Sequence, residues 1–386
     1  METNHLGKRL PSRIPAIDLA RGFVMVLMLL DHASSTYNSG RLVIDGASLY
    51  QSGSEIPFAQ FVLRFVTHIC APTFVFLAGT SLALNIDKQR KLGVSERRID
   101  LGIGVRGLIL IVLELFWVQW WWQSEEVILQ VIFAIGVGFI LMTLLRRLNV
   151  GLVLFLGLAL LISTEEIGAW IKGGRFVWML LVQGGSFNVL GIRFLLIYPI
   201  LQWLAVMILG WIFGHYLLAE RERGASDGEL RPEWFLVGFA VLGIGGAVAL
   251  RALNGYGNEH FVRESSAVVQ WMLLSKYPPS LSYLASQLGA MALLLAIMFA
   301  ISRRSEKAWW EEPLTILGQS ALFFYLAHLP LLKLPAVGLG VVRRFEYAGT
   351  ILATALALVL LYPLCRWYRR VRRERRGIVG ALAQFV

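Results

Sequence analysis

Residues 18–32 read D-L-A-R-G-F-V-M-V-L-M-L-L-D-H, an apolar run with ionisable residues at both ends. In an α-helix, Arg21 and His32 lie within about 20° of the same direction and about 16 Å apart along the axis. Asp18 precedes Arg21 by one helical turn, at a spacing that permits an ion pair. We therefore expect one face of this helix to line a buried polar cavity.

The composition of the whole chain predicts a membrane protein. Hydrophobic residues make up 57% of the 386 positions and charged residues only 16%, whereas soluble proteins contain about 25% charged residues. Apolar runs of about 20 residues recur along the chain, as membrane-spanning helices require. We predict an all-α polytopic transmembrane bundle of about ten spans, a single domain over residues 1–386 with short basic tails at 1–14 and 369–386.

The hydropathy pattern places the spans and their orientation. Most lysines and arginines outside the spans fall on one set of loops, and the positive-inside rule therefore puts both termini in the cytoplasm. This topology accounts for the net charge of +11, and no motif supports binding to nucleic acid. We expect the first helix to be retained, and Ala71-Pro72 either to kink the second or to split it into an amphipathic entry and a spanning part. The expected spans are 15–36, 58–86, 99–122, 127–145, 148–163, 194–219, 233–252, 281–301, 313–335 and 347–368.

Four proton-carrying side chains on four different helices fall at a similar depth, in the outer half of the membrane: His32, His68, Glu114 and His328. Ionisable groups inside a bilayer are costly and usually functional. An imidazole at this depth can act as a general base, and a carboxylate such as Glu114 can orient it. Each of the four also has a structural interpretation. For His32 and His68 it is a hydrogen bond between helices, for His328 a cap on backbone groups freed by Pro330, and for Glu114 the neutralisation of a nearby arginine. Asp31 faces a different neighbour from His32.

A second group of polar side chains lies towards the predicted cytoplasmic side, and its cations suit a phosphorylated donor made in the cytosol. For Arg64, near the outer interface, snorkelling is the favoured explanation. Cys70 and Cys365 fall at opposite faces without other metal ligands nearby, so neither a disulfide nor a metal site is expected. The cytoplasmic-side group is Asp18, Arg21, Asn85, Asp100, Arg106, His215 and Gln319.

Two stretches resemble a known family. The opening motif, followed by T-H-I-C-A-P-T-F-V-F-L-A-G-T-S-L at residues 67–82, resembles the heparan-alpha-glucosaminide N-acetyltransferase-like bacterial membrane proteins. The spacing from Arg21 to His32 is similar to that of the membrane acyltransferase type 3 family. Tyr325-x-x-His328 is similar to a late-helix element of the same family. The resemblance is strongest over residues 13–86 and 315–332.

The resemblance implies an enzyme of the bacterial inner membrane that takes acetyl, or another acyl group, from cytosolic acyl-CoA. The acceptor would be an amine or hydroxyl of an extracytoplasmic glycan. The proposed active histidine of the lysosomal enzyme lies in a luminal loop where this chain has none, so the role falls to His32 or His68, as base or nucleophile. The catalytic candidates are His32, His68, Asp31 and Glu114, and the donor-binding candidates are Asp18, Arg21, Arg106, Gln319, Ser320, Tyr325 and His328.

Two other functions also account for buried charges. A proton-coupled secondary transporter would have inverted repeats with matched broken helices, but the sequence offers one candidate break. A non-catalytic membrane component would use loop 253–280 and the basic tail as contact surfaces, but it leaves the alignment of Arg21 with His32 unexplained. For the enzyme, the expected partners are membrane lipids, acyl-CoA and the glycan acceptor, and a homodimer stays open.

Overall fold

The computed structural model describes residues 13–122, 124–170, 176–223 and 230–374. Most of the predicted basic tails, residues 1–12 and 375–386, lies outside this range. The helices in the first half are α1 (Pro15–Tyr37), α2 (Phe58–Thr67), α3 (Cys70–Lys91), α4 (Glu96–Val112), α5 (Gln119–Trp122), α6 (Val131–Leu145), α7 (Val150–Trp170) and α8 (Phe176–Trp178). Those in the second half are α9 (Ile200–Arg223), α10 (Glu233–Leu253), α11 (Val268–Met272), α12 (Leu281–Ser302), α13 (Glu311–Gln319), α14 (Ala321–Gly338) and α15 (Tyr347–Glu374).

The all-α polytopic bundle predicted from hydropathy is confirmed. Eight helical segments in the described ranges are long and apolar enough to cross a membrane. The other two expected spans are also helical. α6 has 15 residues, about 22 Å of helix, which is short for a hydrocarbon core of about 30 Å. α1 has 23 residues, which is long enough to cross, but it is less apolar than the eight because it carries three charged residues, Asp18, Arg21 and Asp31.

The central helix of the bundle is α1. It packs against α3, α12, α13, α14 and α15. Its apolar side chains, including Leu19, Val24, Met25 and Leu29, are almost completely buried. Since this helix is shielded by protein on most sides, its charged residues face other helices and cavities, where they can be paired or hydrated.

Two glycines hold the first half of α1 against α13. A Cβ on Gly22 would lie 1.9 Å from the carbonyl oxygen of Leu314, and one on Gly318 would lie 1.9 Å from that of Asp18. The two backbones are therefore in direct contact, as at small-residue crossings in membrane proteins. This contact brings Gln319 beside Asp18, so the packing of α1 on α13 positions polar groups at this end.

Replacing Gly318 with alanine is expected to destabilise the protein by roughly 1–3 kcal/mol, because the added methyl group must push the two backbones apart. The measurement is unfolding by SDS in mixed micelles. The matched control is Gly104→Ala, since a Cβ on Gly104 meets nothing within 4 Å and alanine is the better helix former. Equal unfolding midpoints for the two variants would contradict the close contact.

Two expected spans are each broken into two helices. The second is interrupted at His68 and Ile69, between α2 and α3, as the Ala71-Pro72 pair predicted. Pro72 lies in the first turn of α3, and because a proline has no N–H and its ring clashes with the carbonyl of residue i−4, a continuous helix cannot pass through His68. The ninth span is interrupted at Ser320, between α13 and α14. Both breaks lie beside the polar interior described below.

A small sheet, absent from the prediction, covers the end of the bundle at which α1 terminates. Its strands are β1 (Val127–Leu129), β2 (Gly185–Val189) and β3 (Ile192–Leu196), in the order β1-β3-β2. β2 and β3 form an antiparallel hairpin, and β1 pairs parallel to β3. Leu190 and Gly191 both have positive φ, as a tight two-residue hairpin turn requires.

Candidate active site

Three adjoining cavities follow α1 from one end of the bundle to the other. The first, here called the basic cavity, has a volume of about 340 Å³ and lies at the end where α1 begins. Its walls carry six cationic side chains and one carboxylate, so it has a strong excess of positive charge. These charged residues are Arg13, Asp18, Arg21, Lys88, Arg106, Arg221 and Arg372.

The second, the central cavity, has a volume of about 330 Å³ and is mainly apolar, with Met25, Phe74, Ile135 and Phe139 among its walls. It adjoins the basic cavity because the two share lining residues. The shared residues are Arg21, Ser81, Arg106, Gln319 and Arg372. A ligand with a charged head and a long, less polar arm would match this succession of surfaces.

The third, the histidine cavity, has a volume of about 240 Å³ and lies at the end where α1 terminates. Phe74, Val131 and Tyr325 line both this cavity and the central one, so these three side chains form the partition between them. His32 is on the far side of the partition from Arg21. The charged residues in its walls are Asp31, Arg41, Asp45, Arg64 and Lys276.

His32 contacts a second histidine. Its Nδ1 lies 2.6 Å from Nε2 of His328 on α14. The ring centroids are 4.9 Å apart and the planes differ by 22°, so the rings lie side by side with a hydrogen bond close to their common plane. The edge of Trp122 packs against His32 from another side, with centroids 5.5 Å apart. The imidazole of His32 is therefore held in one orientation.

His328, expected among the donor-binding residues, lies away from the three cavities. Its side chain is fully buried and lines none of the three cavities. His328 follows Tyr325 on α14 by about 4.5 Å of helical rise, which places it beyond the partition. Tyr325 remains at the partition, where it lines both the central and the histidine cavities.

A buried network of charges lies beside His32. Oδ1 of Asp31 accepts hydrogen bonds from Arg64 Nη1 at 2.5 Å, Arg41 Nη2 at 3.1 Å and the Thr67 hydroxyl at 3.1 Å. Arg64 also forms a two-pronged ion pair with Asp45, through Nε and Nη2. Only 6% of Arg64 is exposed. The expectation that Arg64 snorkels is therefore wrong, because it is the shared cation of two carboxylates.

His68 supports this network from the other side. Its Nε2 lies 2.9 Å from Asp45 Oδ1, and because a carboxylate only accepts, Nε2 donates. Burial alone would raise the pKa of the Asp45 carboxyl, but Arg64 and the hydrogen bond from His68 outweigh burial and hold that pKa well below its ordinary value. His68 lines none of the three cavities. Its contact with Asp45 makes it a supporting group of the charge network.

The expected contact of Glu114 with His32 is wrong. The chain is π-helical over Leu113–Val118, and this different winding directs the fully buried carboxyl group towards the start of α6. There Glu114 Oε2 accepts the backbone N–H of Phe133 at 3.2 Å, and Oε1 has no hydrogen-bond partner in the described part of the chain. A carboxylate is favoured at a helix N-terminus, so Glu114 caps α6.

The donor-binding candidates on α1 and α13 come together at the basic cavity. Asp18 Oδ1 lies 3.5 Å from Arg21 Nη1, and Asp18 Oδ2 accepts from Gln319 Nε2 at 3.0 Å. Arg21 also donates to the Ser81 hydroxyl at 2.8 Å. Ser320 lines the central cavity. Asp18 thus orients Arg21 and Gln319 at the junction of the basic and central cavities.

Sequence reasoning missed the cations of the histidine cavity. Lys276 lies in a loop and is 4% exposed. Its ammonium lies 5.2 Å from the centroid of the Tyr277 ring and makes no ion pair with a described residue. Nothing in the loop sequence marks this position. Arg64 could have been found, because it precedes His68 by four residues and shares its helical face.

Comparison with known proteins identifies the family. Residues 13–245, more than half of the chain, match the family described as heparan-alpha-glucosaminide N-acetyltransferase, catalytic. The chain belongs to this family. No curated protein matches it.

Membership in the heparan-alpha-glucosaminide N-acetyltransferase family, together with the eight apolar helices, makes the protein an integral membrane acetyltransferase. The matched range contains α1, both halves of the broken second span and α6, and so most of the walls of the three cavities. It ends before Gln319, Tyr325 and His328. These later residues complete the site by packing α13 and α14 against α1.

Proposed function

We propose that the protein transfers an acetyl group, or another acyl group, from cytosolic acyl-CoA to an amine or hydroxyl of an extracytoplasmic glycan, with His32 as base or nucleophile. It would act in the bacterial inner membrane, with the basic end of the bundle and both termini facing the cytoplasm. The observation that carries this proposal is the row of three cavities, which runs from a cluster of cations to an imidazole.

The basic and central cavities suit acyl-CoA as donor. The phosphates of the coenzyme need cations, and arginines bind phosphate through paired hydrogen bonds. Arg21, Arg106 and Arg372 line both cavities, so a coenzyme held there by its phosphates can extend its pantetheine arm along the apolar walls. The thioester would then reach the partition, where the Tyr325 hydroxyl can donate to the carbonyl oxygen as negative charge develops on it.

The histidine cavity suits the acceptor. His32 takes the proton of the acceptor amine or hydroxyl while the acceptor's lone pair forms a bond to the thioester carbon. The C–S bond then breaks with its electron pair on sulfur, and the proton passes from His32 to the thiolate or to solvent. If His32 is instead the nucleophile, its ring nitrogen bonds to the thioester carbon as the C–S bond breaks with its electron pair on sulfur. The acceptor then takes the acetyl group as the N–C bond to His32 breaks, and its proton passes to the freed nitrogen or to solvent. Arg41 and Lys276 set the charge around the acceptor.

The test is a transfer assay in proteoliposomes. The acetyl group of acetyl-CoA carries one radiolabel and its adenine another, the coenzyme is added outside, and an amino-sugar oligosaccharide is trapped inside. We expect acetyl label on the enclosed oligosaccharide and adenine label outside only. Uptake of an unmodified solute coupled to protons, with no acetylated product, would favour the transporter and contradict the proposal. Rapid quenching with acetyl label on the protein would identify an acyl-histidine.

Donor affinity should depend on Arg106. Arg106→Gln is expected to raise the Kd for coenzyme A about 10- to 100-fold, since a hydrogen bond to a charged group is worth about 1.5–3 kcal/mol. The measurement is titration calorimetry in detergent micelles. Arg97→Gln is the control, because Arg97 is an exposed residue of the same helix that lines none of the three cavities. An unchanged Kd in Arg106→Gln would remove these cavities as the coenzyme site.

A further inference from the structure

We infer that His328 is the positioning residue that fixes the tautomer of His32, in the place where many enzymes use a carboxylate. This inference rests on the proposed function for its catalytic meaning, but the tautomer itself follows from hydrogen-bond partners alone. It also accounts for a fully buried histidine that faces none of the cavities.

The chain of donors and acceptors begins at a backbone carbonyl. Nδ1 of His328 lies 3.2 Å from the carbonyl oxygen of Phe324, which can only accept, so Nδ1 carries a hydrogen. A neutral imidazole has a hydrogen on one nitrogen only. Nε2 of His328 is therefore an acceptor, and Nδ1 of His32, 2.6 Å away, must be the donor.

The assignment determines which nitrogen of His32 is available for chemistry. With its hydrogen on Nδ1, neutral His32 has a free lone pair on Nε2. Because Nδ1 is occupied by His328 while the ring lines the histidine cavity, Nε2 is the nitrogen available to an acceptor there. When Nε2 takes a proton, Nδ1 keeps its own, and the neutral Nε2 of His328 continues to accept from the imidazolium.

The neighbouring carboxylates do not take this role. Asp31 is held by Arg41, Arg64 and Thr67, and Asp45 is held by Arg64 and His68. Glu114 caps α6. His328 is thus the hydrogen-bond acceptor that the described residues offer to Nδ1 of His32, and a neutral acceptor adds no buried charge to the membrane interior.

The decisive measurement is ¹⁵N NMR of the imidazoles at pH 8, in protein labelled at its six histidines and assigned with the His32→Gln variant. We expect the His32 signals of a ring protonated at Nδ1 and unprotonated at Nε2. His328→Leu removes the acceptor and should yield a mixture of tautomers, whereas His328→Gln, whose side-chain oxygen can accept, should keep the wild-type signals. A wild-type His32 with its hydrogen on Nε2 overturns the inference.

The second test measures kcat for acetyl transfer in the same two variants, His328→Leu and His328→Gln. His328→Leu is expected to lower kcat about 10- to 100-fold, as loss of an orienting partner does elsewhere, and His328→Gln should recover most of that loss. Kd for coenzyme A should stay at the wild-type value in both, which verifies folding. Equal losses in both variants would give His328 a purely steric role and overturn the inference. If the wild-type protein transfers no acetyl group, the proposed function fails while the NMR result still decides the tautomer.

Discussion

His32→Gln will lower kcat for acetyl transfer by about 10²- to 10⁴-fold, the range that a general base contributes. Glutamine has a similar length and keeps a hydrogen-bonding group near His328, but it has no nitrogen lone pair that can take a proton. Kd for coenzyme A should not change, because His32 lies beyond the partition from the basic cavity. Single-turnover assays separate this chemical step from donor binding.

A matched control is available in the same protein. His260→Gln alters an exposed histidine of a loop and should leave kcat unchanged. If acyl transfer proceeds through an acetyl-histidine, His32→Gln also abolishes trapping of labelled protein. Wild-type kcat in a correctly folded His32→Gln variant would remove this residue from the mechanism and, with it, the proposed role of the histidine cavity.

Arg64→Met is expected to destabilise the protein by about 3–5 kcal/mol, because it leaves Asp45 and part of the charge of Asp31 without their shared cation in a buried site. The double variant Arg64→Met, Asp45→Asn should recover part of this loss, since the uncompensated carboxylate is then gone while a hydrogen bond to His68 remains. The measurement is SDS unfolding, with the reaction of the buried thiols Cys70 and Cys365 as reporter.

The control for Arg64→Met is the loss of an exposed ion pair. Arg193 pairs with Glu126 at 2.6 Å, but 63% of its side chain is exposed. Arg193→Met should therefore change stability by at most about 1 kcal/mol. Similar unfolding midpoints for the Arg64 and Arg193 variants would mean that the Arg64 network is hydrated and contributes little to folding.

Hydropathy was sufficient to locate the helices, because each span must bury its own backbone hydrogen bonds and present an apolar surface. Hydropathy was less informative about interruptions within a span. Pro72 did indicate the interruption at His68 and Ile69, because a proline breaks the helix at residue i−4. The interruption at Ser320 has no proline nearby on its C-terminal side and was not predicted. The hairpin at Leu190 and Gly191 has alternating apolar residues, S-F-N-V before the turn and I-R-F after it, but runs this short are a weak strand signal beside the long apolar helices, and the hairpin was not predicted.

The site was predictable where residues share one helix or one depth: Asp18, Arg106 and Gln319 come from three helices and line one cavity. Arg21 and His32 lie on one face of α1, as the spacing indicated, and line successive cavities. The partner of His32 is almost three hundred positions away, and no local pattern connects the two. Glu114 had the right depth but the wrong direction, because a π-helical turn rotates it. Depth can be counted along a sequence, whereas rotation and pairing depend on packing between helices.

The partition of Phe74, Val131 and Tyr325 bears on bioenergetics. An open aqueous pore through the bundle would conduct ions and dissipate the electrochemical gradient on which a cell depends. In the proposed reaction, side chains that close the passage would let an acetyl group pass to the acceptor while the coenzyme stays on its own side of the membrane. Replacing a partition residue with a smaller one, for example Phe74→Ala, is predicted to make vesicles that contain the protein leaky to protons, whatever its effect on the rate of transfer.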